Sequence, residues 1–502
     1  MKKEVSINNS VFFHNNVDYC VGTGRIGLAL QKEYMKQLSL VQKEIGFSYI
    51  RGHGLFSDDM AIYQEYEEDG QTKVEYNFTY LDLVMDSYKE VNIKPFIELG
   101  FMPAKLGSGD QTVFYWKGNV TPPKEYSKWC DLVTATLNHL MERYGKEEVE
   151  TWPIEVWNEP NLPGFWKGAD MQEYFKLFKE TFCAIKALNP KLTVGGPAIC
   201  GVNDEFWIDE FMKFIGKENL DVDFITRHHY TTGEHTPKGH YTYAPLEDPE
   251  FRFNNLKKTR EIVDNYDRYK GLPIHITEFN TSYSPDNVIH DTNLNAAYLA
   301  HHLSRLGDDT ESYSYWTFGD IFEEKGVPFA PFHGGFGMVA NNCIPKPTFY
   351  TFAFYKKLKG TCIHKDNDCI MVKTDGGSIR GIAWNICEHD EDRKDKHVTV
   401  EVDLTAGDTN YDAGRYCITR HIVDEETCNP LKVWNDYGQP RSLSPELVGI
   451  LRQAAVPMIQ TQVLEKNPKS NIIDFGLFVK PNGVIYFEIV PAKLTPDRGY
   501  EY

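Results

Sequence analysis

The sequence lacks several features that would each have named a function class. None of its ten cysteines, at 20, 130, 183, 200, 343, 362, 369, 387, 417 and 428, forms a CxxC pair, which excludes zinc-ribbon and thioredoxin-like chemistry. Ten thiols in 502 residues are also too sparse for a disulfide scaffold, and they read as small apolar side chains in a reducing compartment. Positive charge is short as well. Against 72 Asp and Glu stand 53 Lys and Arg, a net charge of −19. Such a surface repels phosphate backbones and anionic headgroups, so no nucleic acid and no membrane is expected as a partner, whereas a neutral ligand is unaffected. No apolar stretch is long enough to span a bilayer. The opening MKKEVSINNSVFFHNNVDYC is basic but has no apolar run of the secretory kind, so the chain is expected to be cytoplasmic. Internal repeats and low-complexity linkers are missing too.

What the chain does have is alternation. Short apolar runs at 17–22, 48–52, 94–100, 153–158, 192–197, 223–229, 273–278 and 312–317 read as strands buried on both faces. Between them lie amphipathic helices, at 31–45, 80–91, 126–145, 171–188, 206–215, 253–268 and 294–306, with a closing one at 347–358. Eight such βα units predict an α/β fold, a (β/α)₈ TIM barrel over 15–358. After about residue 360 the pattern becomes short alternating strands and hairpin turns, such as Pro-Asn-Gly at 481–483, which predicts a C-terminal antiparallel β-sandwich domain over 359–502. A short helix interrupts it at 445–455, with Ser444 as cap and Pro445 in the first turn. The segment 1–14 is expected to join the sandwich.

A barrel presents its chemistry at the C-terminal ends of its strands. The fourth predicted strand ends in Trp157-Asn158-Glu159-Pro160, and the seventh in Thr277-Glu278-Phe279. These two carboxylates, far apart in sequence, fall on one rim. Cleavage of a glycosidic bond needs such a pair, one to protonate the leaving oxygen and one to attack the carbon or activate water. Glu98 and Glu155 read as bystanders, solvated or paired at the surface. His228-His229 has no carboxylate or third histidine at ligand spacing along the chain, so no metal is expected. His301-His302 reads as surface.

The wording around these glutamates is more specific. IEVWNEPNLPGFWKGAD (154–170), GGPAICG (195–201), ITEFNTSYSP (276–285), YWTFGDIFEE (315–324), FHGGFG (332–337) and PKPTFYTF (345–352) together resemble the β-xylosidases of glycoside hydrolase family 39, from about Tyr19 to beyond residue 350. Departures are mild: Phe279 where Tyr is common, Gly319 where Ser is common.

The resemblance implies a retaining enzyme that removes xylose from the non-reducing end of β-1,4-linked xylo-oligosaccharides. Glu159 would be its acid/base and Glu278 its nucleophile. The charge of Glu278 would raise the pKa of Glu159. Asn158 would hydrogen-bond the sugar 2-hydroxyl, with His53, His228 and Tyr230 as further sugar contacts. Tyr283 is expected to hold the Glu278 carboxylate and Trp316 to floor the subsite. Glu323 or Glu324, with Glu323 favoured, would accept sugar hydroxyls, and Phe114 and Phe165 would wall the pocket. No cofactor is implied, and the family pattern implies a homo-tetramer. Competing readings are an α-L-iduronidase-like site using Arg51 or Arg227, a β-glucosidase, and a barrel that binds sugar without catalysis.

Overall fold

The computed structural model describes residues 1–405, 411 and 413–492; the last stretch of the expected sandwich, 493–502, lies outside them. Two compact units emerge. One comprises 16–290 and 309–343, the other 1–15, 291–308 and 344–502.

The first unit is built on a closed barrel of eight parallel strands. They are β1 (Cys20–Arg25), β2 (Tyr49–His53), β3 (Lys94–Leu99), β4 (Ile154–Val156), β5 (Val194–Ile199), β6 (Phe224–Tyr230), β7 (Ile274–Asn280) and β8 (Ser312–Tyr315). Neighbours in the ring are neighbours in sequence, with β8 closing onto β1. Nearly every strand residue is buried, as the continuous apolar runs require. Helix starts are set locally. Asp170 accepts hydrogen bonds from the amides of Gln172 and Glu173 to open Met171–Leu188, and Pro190 follows its end. The barrel expectation therefore holds in all eight strands.

The register contains a device that matters for the site. Between β6 and β7, Arg227 pairs with Ile276 but His228 pairs with Glu278, so Thr277 is an extra residue. A bulge of this kind re-aims side chains. Here Thr277 and Glu278 both reach buried acidic partners or donors inside the barrel mouth.

The second unit is a sandwich of a three-stranded and a six-stranded sheet. Val5, Val398, Val400 and Ile473 of the smaller sheet and Ile418, Ile485, Phe487 and Ile489 of the larger belong to one buried core. The smaller sheet is not wholly antiparallel: Lys2–Ser6 pairs parallel with Lys396–Asp403. Ser444 caps the helix Pro445–Ala454 through the amide of Leu447. A second helix, Pro430–Asp436, begins at an Asn429 cap followed by Pro, a start signal that was present in the sequence.

The sequence boundary at 358/359 falls elsewhere in these units. Helices Asn293–Leu303 and Pro347–Lys356 group with the sandwich, packing on each other, and the former also touches strands Ile379–Asn385 and Gly483–Pro491. His301 and His302 are accordingly buried, not at the surface, on a helix that is buried almost all round. Among the described residues no helix is long and apolar enough to cross a membrane. Six of the ten cysteines are buried, Cys183 is exposed, and none is in a disulfide.

Candidate active site

The C-terminal mouth of the barrel holds a cavity of about 520 Å³. Its base is organised by Arg51 in the middle of β2, which is fully buried. The guanidinium donates through Nε to Glu155 Oε2 (2.6 Å), through Nη1 to Glu278 Oε1 (2.7 Å) and through Nη2 to Asn158 Oδ1 (2.8 Å), with Glu98 Oε2 3.0 Å from Nη2. Glu98 and Glu155 are thus neither solvated nor at the surface. Both point inward at paired register positions of β3 and β4 and are no more than 1% exposed. Thr277 donates to the other oxygen of Glu155 at 2.9 Å. A buried cation shared among carboxylates needs this degree of saturation, because each unpaired charge would cost several kcal/mol. Burial pushes Glu98 up to about 8, against the pull of Arg51.

Glu278 is held at both oxygens. Oε1 receives Arg51, and Oε2 accepts the Tyr230 hydroxyl at 2.7 Å. These charge-assisted bonds fix the carboxylate in one orientation. Tyr230 and His228, two apart on β6, share a face by strand alternation and so flank Glu278 together. Tyr283 does not hold this carboxylate. It is 57% exposed and meets the rings of His235 and Tyr230 at the edge of the cavity; the loop after β7 carries it outward.

Glu159 sits differently. The chain leaves β4 through two left-handed residues, Trp157 (φ 75°) and Glu159 itself (φ 45°), a conformation worth about 1–3 kcal/mol of strain at a non-glycine residue. The Glu159 amide is tied to the Ala198 carbonyl at 2.9 Å. Among the described residues its carboxyl has one close side-chain partner, His228 Nδ1 at 2.8 Å from Oε1. Burial pushes Glu159 up to about 7, with the charge of Glu98 adding to it and His53 and Arg51 opposing. The expected cause, the charge of Glu278, gives way to desolvation as the main effect. His53 and His228 are both pushed down to about 4 by burial, so they are neutral hydrogen-bonding groups at ordinary pH.

One carboxylate oxygen of Glu159 and one of Glu278 lie within 4.8 Å of each other and of a His228 ring nitrogen. Chain spacing had argued against metal, yet in space these three groups do converge in an arrangement that could ligate a cation. Glu278 is engaged there by Arg51 and Tyr230, one on each oxygen.

The walls are aromatic. His53 packs on Trp316 (4.6 Å between ring centroids) and Phe114 (5.7 Å), and Phe165 meets Phe114 edge-on at 5.3 Å. Trp316, Phe114 and Phe165 all line the cavity, as does Glu324. Glu323, the residue favoured from sequence, does not line it. Its carboxylate is drawn away by Arg25 (2.6 Å), which also pairs with Asp59. Sequence reasoning missed Glu98 and Glu155 as members of the site, and offered Arg51 only as a cation for a substrate carboxylate. Their signal was an arginine and two glutamates embedded in apolar barrel strands, where each could be buried only by pairing with the others.

A family model described as Glycosyl hydrolases family 39 matches residues 6–469 of the chain. A β-xylosidase of Geobacillus stearothermophilus is 49% identical over 492 residues, covering 97% of this chain and 95% of that protein. A β-xylosidase of Caldicellulosiruptor saccharolyticus is 36% identical, covering 93% of each. Among solved structures, a monomeric β-xylosidase from Caulobacter crescentus CB15 superposes with a TM-score of 0.87 at 32% identity, covering 98% of this chain and all of that one.

Proposed function

The chain belongs to glycosyl hydrolases family 39, and on that premise we propose that it is a retaining, exo-acting β-xylosidase with Glu278 as nucleophile and Glu159 as acid/base. The observation that carries this reading is the spacing and unequal treatment of the two glutamates. Retaining enzymes place their carboxyl groups roughly 5–5.5 Å apart and inverting ones roughly 6.5–9.5 Å; one oxygen of Glu159 and one of Glu278 approach within 4.8 Å, which supports the shorter, retaining spacing.

The chemistry follows from the surroundings. Glu278, pinned by Arg51 and Tyr230, attacks the anomeric carbon while the glycosidic bond breaks. Glu159, up to about 7 through burial, still holds a proton near neutrality and delivers it to the departing oxygen. The resulting Glu159 carboxylate then takes a proton from water, whose oxygen displaces Glu278 and restores the starting configuration. Arg51 fixes the Asn158 amide by donating to Oδ1. That leaves the NH₂ as the donor for the sugar 2-hydroxyl, a bond that strengthens in the transition state. Trp316 and Phe114 supply ring faces, and His53 and His228 neutral hydrogen-bonding groups. No step requires a cofactor.

An iduronidase-like reading would need a cation for the substrate carboxylate. Arg51 is saturated, and Arg227 is bound to Asp204 and Thr259, which favours the neutral sugar. Xylose lacks the hydroxymethyl group at C5, and the ring-lined wall disfavours glucosides. A panel of nitrophenyl glycosides tests this: kcat/KM should be highest for the β-xyloside, and equal or better turnover of the β-glucoside or an iduronide would overturn it. Proton NMR of the first product should show the β-anomer. The reading extends to xylo-oligosaccharides as natural substrates, a cytoplasmic location supported by ten cysteines without a disulfide, and assembly as a homo-tetramer. Light scattering of the purified protein decides the last point.

A further inference from the structure

A second cavity, of about 310 Å³, adjoins the first and is lined by Phe322, Lys325, Phe329, His240, His333 and Glu324, among others. Among the described residues Glu324 alone lines both. We propose that Glu324 is the partition that makes this enzyme exo-acting, and that the cavity behind it is a closed-off subsite for one further xylosyl residue on the non-reducing side. The inference rests on the β-xylosidase reading and goes beyond it in naming what limits product length.

Topology fixes the direction. Glu159 leaves the end of β4, and Glu324 lies on the segment that follows β8. In a closed ring of eight strands the fourth and eighth are opposite each other. The general acid marks the side on which the leaving group departs, so Glu324 faces the other end of the bound sugar, where the chain of an oligosaccharide would continue from the 4-hydroxyl. The partition is firmly mounted: the Glu324 carbonyl accepts the Tyr115 amide at 2.7 Å, and Phe322 beside it packs edge-on against Trp316 and Phe336. Its carboxyl, by contrast, makes no hydrogen bond or ion pair among the described residues. Burial and the charges of Glu278 and Glu159 hold its pKa well above the usual carboxylate range.

The second cavity has the makings of a sugar site. Its volume lies within the range of ligand pockets, about 300–1,000 Å³. The rings of Phe329 and His240 lie 4.7 Å apart on one wall and offer apolar faces to a pyranose. His333 donates from Nδ1 to the Ala330 carbonyl at 3.0 Å, which leaves Nε2 as an acceptor for a hydroxyl. The Lys325–Asp286 pair, at 2.9 Å, supplies further polar edges.

The test uses 4-nitrophenyl β-xylobioside. The wild-type enzyme should release xylose first, with nitrophenol lagging. Glu324→Ala should release xylobiose and nitrophenol together from the first turnovers. The ratio of xylobiose to xylose should rise at least about tenfold, equivalent to about 1.4 kcal/mol of differential binding. Adding Val327→Trp, at an exposed lining position of the second cavity, should abolish the xylobiose. Xylose as the sole early product of a folded Glu324→Ala protein, or xylobiose that persists with Val327→Trp, overturns the proposal. If Glu324→Ala is too slow to follow, crystals of Glu278→Ala/Glu324→Ala soaked in xylobiose decide: a ring between Phe329 and Glu278 supports the partition, and a second cavity without sugar refutes it. Failure of the wild type on 4-nitrophenyl β-xyloside would instead sink the underlying reading.

Discussion

Two carboxylates within a few ångströms of each other live in opposite surroundings. Glu278 stands on the polar side of the mouth, both oxygens engaged by Arg51 and Tyr230. Glu159 stands on a strained turn with one histidine beside it, in a pocket dry enough to push it up to about 7. Residue type is the same, so the division of labour comes from the donors each strand end can supply. β2 and β6 send an arginine and a tyrosine to Glu278; β5 gives Glu159 only a backbone tie.

The largest test of this contrast removes the nucleophile. Glu278→Ala should lower kcat/KM by roughly 10⁴–10⁶-fold, the scale seen when a covalent nucleophile is deleted, on natural and activated substrates alike. Glu159→Ala should be gentler and selective. The loss should be about 10²–10⁴-fold on xylobiose and far smaller for glycosylation by a dinitrophenyl xyloside, whose leaving group needs no proton. Azide should restore turnover and yield the β-xylosyl azide, whereas any rescue of Glu278→Ala should give the α-azide. The reverse pattern of azide products would exchange the two roles.

A smaller effect separates holding the nucleophile from being it. Tyr230→Phe deletes the hydroxyl on Glu278 Oε2 but leaves Arg51 on Oε1. Hydrogen bonds to charged groups are worth about 1.5–3 kcal/mol, so kcat should fall roughly 10–150-fold with the same retained product. Tyr283→Phe, at the exposed rim, should change kcat less than Tyr230→Phe; an equal or larger loss would return Tyr283 to the role the sequence suggested.

That exchange of tyrosines shows what was legible in the sequence and what was not. Periodicity located all eight barrel strands, and strand ends located Glu159 and Glu278, because both depend on short-range pattern. Side-chain direction in the loops carries no such period. Glu323 and Glu324 are neighbours of identical chemistry, and it is Arg25 and Gln31, remote in sequence, that draw the first away from the cavity. Tyr230 is still on β6, where alternation fixes its face; Tyr283 is past the end of β7, where nothing does. Glu98 and Glu155 were misread for a related reason. A buried glutamate is improbable alone, and its partner Arg51 becomes its neighbour only once β2, β3 and β4 lie side by side.

The finest probe of the contrast is pH. A carboxyl whose folded pKa lies above its ordinary value binds more protons folded than unfolded between the two, so it costs stability as pH rises through that interval. For Glu159 the interval runs from about 4.5 to about 7, and the full cost is on the order of 3 kcal/mol. Glu159→Gln carries no titrating group and escapes it. The Tm of Glu159→Gln relative to wild type should therefore be higher at pH 7.5 than at pH 4.5, and the difference should build up mainly between pH 5 and pH 7. Activity should report the same proton. Wild-type kcat/KM on an unactivated xyloside should fall above about pH 7 as Glu159 loses it, and the residual activity of Glu159→Gln on the same substrate should lack that limb. A relative Tm independent of pH, with the alkaline limb intact in Glu159→Gln, would mean that some other group carries the proton and that burial of Glu159 is not what sets it apart from Glu278.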